Sequence, residues 1–391
     1  MFDGVNPKIS TKYFTYLLVF AAVNALLVCL LFSHFGARFG SDSEEYLTTA
    51  KYFSGQGALG GSDMIKLFGR LLKPAFPLLV GLLSPLFGFK LPFILINVVF
   101  YLSIGFVVFK IVKLLFNDEN QALVAAMLFL TAYPMLEYGI NYYTDLAGWF
   151  FFVLSVYLTL LFGQKPSYNE RDARYIGWRT TRYKLVVWNG IISVIGFLTK
   201  ESGGVGTLFF VLFLFFVYKD SFINKLKYLL TIAVVFWLPV ISWQVFVYFK
   251  YAYSYYDWYM LCRRGDEAFV RDYFKIIPKS LVATFFLGWS FVLLGLVRVR
   301  KAAPEVKKVA LALILPSFSF LIWFGASSRI FYIIGLLLSI LAGWGFVYLI
   351  NNYRRTYAYS LLAMAIAGNY FWFIFDDRLR VLVNAVLNIH Y

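Results

Sequence analysis

Residues 13–33 read YFTYLLVFAAVNALLVCLLFS, a stretch without one charged side chain. About 20 such residues, rising 1.5 Å each, cross a ~30 Å hydrocarbon core. Backbone N–H and C=O groups find no water in that core, so a lone segment must satisfy them internally as a helix. Comparable runs recur to the end of the chain. Over all 391 residues the composition is 61% hydrophobic and 14% charged, against about a quarter charged in soluble domains. These features imply an all-α, polytopic membrane protein. The runs are continuous rather than alternating, which speaks against a β-barrel. The first run is too long for a signal-peptide core, and no small-residue cleavage site follows it, so it reads as an uncleaved span.

Eleven spans are expected, at about 13–33, 91–115, 121–135, 146–163, 185–199, 204–218, 228–249, 280–297, 309–324, 330–350 and 358–375. Residues 1–391 then form one transmembrane domain. Its first outer loop covers 34–90, family-like spans run to 250, a second large outer loop covers 250–279, and further spans occupy 280–391. The segment Lys73–Gly88 is apolar but short and carries Pro74, Pro77 and Pro85. The positive-inside rule decides its place. If it lies in the outer interface and the N-terminus is cytoplasmic, most of the net charge of +16 falls on inner segments. If it crosses, the basic loops at 165–184 and 298–308 face outward. The segment is therefore expected to be a juxtamembrane helix. The basic loops fix orientation and meet anionic headgroups, which accounts for the positive charge without nucleic acid. Cys29 and Cys262 give no disulfide framework, and His34 and His390 no zinc site.

The stretch SDSEEYLTTAKYFSGQG follows the first span and places Asp42, Glu44 and Glu45 together. Ser41 or Ser43 is expected to cap a helix whose first turn holds Glu44 and Glu45, leaving Asp42 just ahead of it. Lys200 and Glu201 lie between two apolar runs. Leu185 to Tyr218 is 34 residues, and two full crossings need about 40. The turn is thus expected below the outer surface, where ionisable groups pair, face a cavity and carry function. Asp145 heads a span and could cap it. Lys73 and Arg329 sit at short outer connections and could be interfacial anchors. Together, Asp42, Lys73, Asp145, Lys200, Glu201 and Arg329 gather charge near one membrane face, with no comparable set inside the spans. That pattern fits a site for a charged headgroup better than an ion path through the bilayer. The aromatic loop YAYSYYDWYMLCRRGDEAF fits an interfacial belt or a platform for a sugar or acceptor, with Arg263 and Arg264 as candidates for a second phosphate.

Five segments, in order, resemble the GT-C membrane glycosyltransferases. SDSEEYLTTAKYFSGQG resembles their first outer loop. LKPAFPLLVGLLSPLFG, YYTDLAGWFFFVLSVYL, GFLTKESG and SSRIFYIIGLLLSILAGWG resemble the Lys-Pro-Pro, Thr-Asp, Thr-Lys-Glu and Arg-Tyr segments of the branch containing protein O-mannosyltransferases and aminoarabinose transferases. Ser43 stands where protein mannosyltransferases carry the second acid of an Asp-Glu pair.

The resemblance implies a polyprenyl-phosphate-linked sugar donor, used at the outer face of a prokaryotic plasma membrane on a protein, lipid or glycan hydroxyl. Asp42 is then the candidate base. Lys73, Lys200 and Arg329 are candidates for holding the donor phosphate. Asp145, Glu201, Glu45 and Tyr46 would orient these groups or bind the acceptor. A divalent cation, Mg²⁺ or Mn²⁺, on Asp42 and Asp145 is an open option. The rival reading is a flippase or transporter of a lipid-linked saccharide, which should show internal repeats; none is found.

Overall fold

A computed structural model of the chain describes residues 9–35, 41–56, 69–164, 175–265, 277–322 and 328–387. Helices joined by short turns and loops make up those residues, with no strand among them. The helices are α1 (Thr11–Phe35), α2 (Ser41–Phe53), α3 (Ala75–Phe87), α4 (Lys90–Phe116), α5 (Glu119–Thr131), α6 (Tyr133–Tyr138), α7 (Asp145–Phe162), α8 (Tyr175–Phe197) and α9 (Glu201–Gly204). They continue with α10 (Gly206–Phe216), α11 (Phe222–Tyr251), α12 (Tyr255–Gly265), α13 (Ile277–Val299, broken by a 3₁₀ turn at Phe286–Gly288), α14 (Pro304–Ser317), α15 (Ser328–Phe331), α16 (Gly335–Asn352), α17 (Arg355–Ile374) and α18 (Asp376–Leu387).

Among the described residues, seven segments are long and apolar enough to cross a membrane: 11–33, 90–116, 145–162, 222–251, 277–299, 329–352 and 355–374. Helices α5, α10 and α14 occupy three other expected spans but are shorter. Helix α3 has 13 residues, about 20 Å at 1.5 Å per residue, too short to cross alone. Leu82 and Leu86 on it remain open, as an interfacial helix requires.

Two spans sit at the centre of the bundle. The apolar windows of the segments containing α7 and α16 are each 72% buried, against 22% for α11 and 28% for α1. Helix α7 packs on α4 and α8, and α16 on α13 and α5. Large side chains on the outer helices, such as Leu238 and Phe249 of α11, face outward, as lipid contact demands. Asp145 heads one central span and Arg329 opens the other. The charged groups are therefore carried on the best-supported elements of the fold.

The α8–α9 turn is docked by the absence of side chains. A Cβ on Gly203 would stand 2.5 Å from the Gly196 Cα, and one on Gly148 of α7 would stand 2.5 Å from the Ser202 Oγ and 2.7 Å from the Lys200 Cβ. At Gly203 backbone meets backbone, so nothing can yield cheaply. The Ala75 N–H also donates to the Leu198 carbonyl at 2.9 Å, tying the start of α3 to the same turn.

Two expectations need correction. Helix α2 begins at Ser41, so Asp42 lies in its first turn rather than ahead of it, and Ser43 is a helical residue rather than a cap. The break after α5 comes at Ala132, where backbone ψ turns to 142° and Pro134 opens α6. The expected span thus stops at Thr131, not 135. His390 and part of the basic stretch at 165–184 lie outside the described residues, as do the side chains of His34, Cys262, Arg263 and Arg264.

Gly203→Ala is expected to lower the thermal unfolding midpoint in detergent, at a cost of about 1–3 kcal/mol for overpacking. A scan matching the parent protein would show that this contact carries no load.

Candidate functional site: a charge cluster at the heads of two central spans

Helix α2 presents Asp42, Glu45 and Tyr46 at positions i, i+3 and i+4, which share one face. Arg70 reaches all three: its Nε donates to the Glu45 carboxylate at 2.7 Å, one terminal nitrogen to the Tyr46 hydroxyl at 2.9 Å and the other to Asp42 at 3.0 Å. Its guanidinium carbon also lies 4.3 Å from the centre of the Tyr46 ring. The Tyr46 hydroxyl accepts a further bond from Thr144 Oγ1 at 2.8 Å. Thr144 is thus occupied with α2 and makes no side-chain cap on α7.

Arg329 meets the other oxygen of Asp42 at 2.8 Å and lies 4.0 Å from Asp145. Its guanidinium stands 5.4 Å from the Tyr143 ring centre. Lys200 pairs with Asp145 at 3.2 Å, so Asp145 faces two cations instead of capping its helix. The segment leading to it is held from α4, where the buried Asn97 amide donates to the Asn141 and Tyr143 carbonyls at 2.7 and 3.1 Å.

Next to Lys200 in the chain, Glu201 accepts from Lys73 Nζ at 2.5 Å and from the Tyr255 hydroxyl at 2.7 Å. The Lys73 ammonium lies 3.7 Å from the centre of a Trp258 ring, a cation–π distance. Tyr255 and Trp258 belong to α12, which closes over this end of the cluster. Trp258 in turn packs where Gly69 leaves room for it. The loop bearing Lys73 is gripped from α11, with Trp243 donating to the Leu71 carbonyl at 2.7 Å and Gln244 to the Leu72 carbonyl at 3.1 Å.

The eight residues singled out from the sequence, Asp42, Glu45, Tyr46, Lys73, Asp145, Lys200, Glu201 and Arg329, thus meet in one cluster. Sequence reasoning missed Arg70, although the spacing of Asp42, Glu45 and Tyr46 asks for a shared cation. It also left Tyr255 and Trp258 unassigned within the aromatic loop.

The electrostatics follow from this geometry. Burial alone would raise the Asp42 carboxyl, but Arg329, Arg70 and Lys200 outweigh it and hold the group well below the usual carboxylate range. Burial likewise opposes the charge on Glu201, and Lys73 and Lys200 overcome it, leaving a value of about 2. Lys73 goes the other way: burial, with repulsion from Arg70 and Lys200, outweighs the attraction of Glu201 and brings the ammonium down to about 8.

A divalent cation does not fit this arrangement. Both Asp42 oxygens accept from arginines and Asp145 Oδ1 pairs with Lys200, while Asp145 Oδ2 accepts no hydrogen bond and lies 4.0 Å from the Arg329 guanidinium, so a cation between the two acids would meet three positive side chains. No group of three or more His, Cys, Asp or Glu side chains that could hold a metal occurs among the described residues.

Residues 73–243 match the family described as dolichyl-phosphate-mannose-protein mannosyltransferase. That match covers Lys73, Asp145, Lys200 and Glu201. The fold is that of the oligosaccharyltransferase of Archaeoglobus fulgidus. The structure of that enzyme with zinc and sulfate aligns at a TM-score of 0.58 and 15% identity, covering 92% of this chain and 52% of the other. The chain is thus similar to that mannosyltransferase family over residues 73–243 and shares the fold of the archaeal oligosaccharyltransferase. Two more structures of the archaeal enzyme align comparably. One, tethered to an acceptor peptide, has a TM-score of 0.54 at 15% identity, over 97% of this chain and 55% of that one. The other, with an inhibitory peptide and a dolichol-phosphate, has a TM-score of 0.55 at 13% identity, over 95% and 56%. The chain spans about half the length of these solved structures. No curated protein sequence matches it.

Because Glu201 titrates below its ordinary value of 4.5, the folded state binds fewer protons than the unfolded state between pH 4.5 and 2. Its contribution to stability is therefore full above pH 4.5 and lost as pH falls through that window. The unfolding midpoint in detergent should drop over this range, and Glu201→Gln should make the drop shallower. An identical acid profile in the variant would contradict the pairing with Lys73.

Proposed function

We propose that the chain transfers a sugar from a polyprenyl-phosphate-linked donor to an acceptor hydroxyl at the outer face of the membrane. The observation carrying this reading is the convergence of Asp42, Asp145, Lys200 and Arg329 at the heads of the two most enclosed spans. A transfer of this kind needs a base for the hydroxyl proton and fixed positive charge for the departing phosphate. The cluster supplies both within one shell of contacts.

In this reading Asp42 takes the acceptor's proton as the hydroxyl oxygen bonds to the anomeric carbon. The bond from that carbon to the phosphate oxygen breaks, and its electron pair leaves with the lipid phosphate. Charge grows on the phosphate in the transition state, where preorganised cations in a water-poor site stabilise it. Lys200 and Arg329, with 17% and 25% of their side chains open, are placed to meet it. Lys73 is 1% exposed and enclosed by Glu201 and Trp258, so it adds positive field from behind. Arg70, Glu45 and Tyr46 set the direction of Asp42, and Asp145 sets that of Lys200. The similarity of residues 73–243 to a family named for a dolichyl-phosphate-mannose donor supports this donor class. So does the dolichol-phosphate in the archaeal structure. The outward placement rests on the excess of cations in the segments assigned to the other face.

Asp42→Asn should lower glycosyl transfer by purified protein in detergent by about 10²–10⁴-fold, the usual contribution of a general base, while the unfolding midpoint stays within a few degrees. A flippase would show no transfer even as the parent protein, and its activity would need a sealed bilayer.

Lys73 loses its charge as pH rises through about 8, so kcat/KM should fall over that interval. Lys73→Gln should lower the plateau and remove this alkaline limb. A limb of unchanged midpoint in the variant would assign it to another group.

A further inference from the structure

The two arginines on Asp42 are held very differently. Arg70 has three acceptors on one helix face and a ring beneath it, and its side chain is 6% exposed. It is a fixed clamp. Arg329 has one short bond, to Asp42 Oδ2 at 2.8 Å; its second acid, Asp145, stands at 4.0 Å, and a quarter of its side chain is open. Four cations (Arg70, Lys73, Lys200, Arg329) already face four carboxylates (Asp42, Glu45, Asp145, Glu201). An entering phosphate therefore finds no spare positive charge and must take a partner from one of them. Asp42 has the complementary problem. Each of its oxygens accepts from a guanidinium group, and the same pairing that stabilises its charge makes it a weak proton acceptor.

Resting on the donor reading above, we propose that the phosphate of the donor displaces Asp42 from Arg329, so that phosphate binding itself frees the Asp42 carboxylate to act as base. Arg329 is the exchangeable partner because it has the fewest competing acceptors and the most open side chain of the two. Arg70 stays on Asp42 and keeps it aimed. The exchange conserves charge: one ion pair is broken and one is made, and a carboxylate oxygen becomes available in the same event. Water meeting the donor in the absence of acceptor would then encounter a base only while the phosphate is bound.

An exchange has a thermodynamic signature that a passive neighbour lacks. If Asp42 competes with phosphate for Arg329, removing Asp42's charge tightens phosphate binding, and the gain requires Arg329. Binding of geranyl phosphate to the purified full chain in detergent would be measured for the parent, Asp42→Asn, Arg329→Gln and the double variant, with inorganic phosphate in parallel. The expected result is tighter binding by Asp42→Asn, about tenfold, and no gain when Asp42→Asn is added to Arg329→Gln. Arg329→Gln removes the charge and keeps a polar end on a shorter side chain; Arg329→Met, also uncharged, serves if it does not fold. An equal gain in the Arg329→Gln background reduces the effect to a general field and overturns the exchange, leaving the donor reading intact. No gain in the single variant overturns it equally. Failure of the parent protein to bind geranyl phosphate at all overturns both the exchange and the donor reading. Equal behaviour with inorganic phosphate supports the exchange but assigns it to free phosphate, against the lipid-linked donor.

Discussion

Charge cannot be buried singly in a protein surrounded by hydrocarbon, and that constraint organises one end of this fold. An unpaired ion deep in low dielectric costs several kcal/mol, so each carboxylate here has a cation and each cation a carboxylate. The pairs are linked by shared members. Asp42 joins Arg70 to Arg329, and Arg329 leans toward Asp145, which holds Lys200. Helices α2, α7 and α9 and the openings of α3 and α16 are fixed relative to one another by this network as much as by apolar packing. A cluster made neutral in this way is stable at rest and responsive to any anion that enters it.

Glycine and aromatic residues complete the support in opposite ways. Gly148, Gly196 and Gly203 remove side chains, so the turn bearing Lys200 and Glu201 lies directly on α7. Trp258 and Tyr255 add bulk, so Lys73 is shut away from water and Glu201 is partly enclosed. The first device sets position and the second sets dielectric. Together they explain why Lys73 gives up its proton more readily than an exposed lysine while Lys200, two steps along the same network, keeps its own more firmly.

The helical class was legible from the apolar runs alone, because hydrocarbon leaves the backbone few alternatives. The turn at Lys200–Glu201 was legible from a length that falls short of two crossings. Asp145 and Arg329 stood out because ions are rare at the edges of apolar helices. Their pairing was not legible: contacts between distant spans are set by helix rotation and bundle order, which a single sequence does not state. Arg70 was overlooked for a related reason. It lies in a connection between helices where a basic residue has an ordinary explanation, and its significance appears only when α2 turns Asp42, Glu45 and Tyr46 to the same side. The start of α2 was misjudged because Ser41 and Ser43 both suit a cap, and propensity alone does not choose between them. Eleven spans were expected and seven helices are long and apolar enough; three of the four others, α5, α10 and α14, are cut short by Ala132, Val217 and Pro316–Phe318, and the fourth, α8, has 23 residues but is not among the seven.

The grip of α11 on the Lys73 loop has a consequence for biogenesis. The Leu71 and Leu72 carbonyls accept from Trp243 and Gln244, each 172 positions later in the chain, and Arg329 is supplied later still. While the ribosome is still making α11, the loop and its lysine lack their anchors, and Asp42 lacks one of its two guanidinium partners. The nascent protein therefore passes through an insertion stage in which the future charge cluster is unassembled and unbalanced, and the cluster closes only once Arg329 has been made.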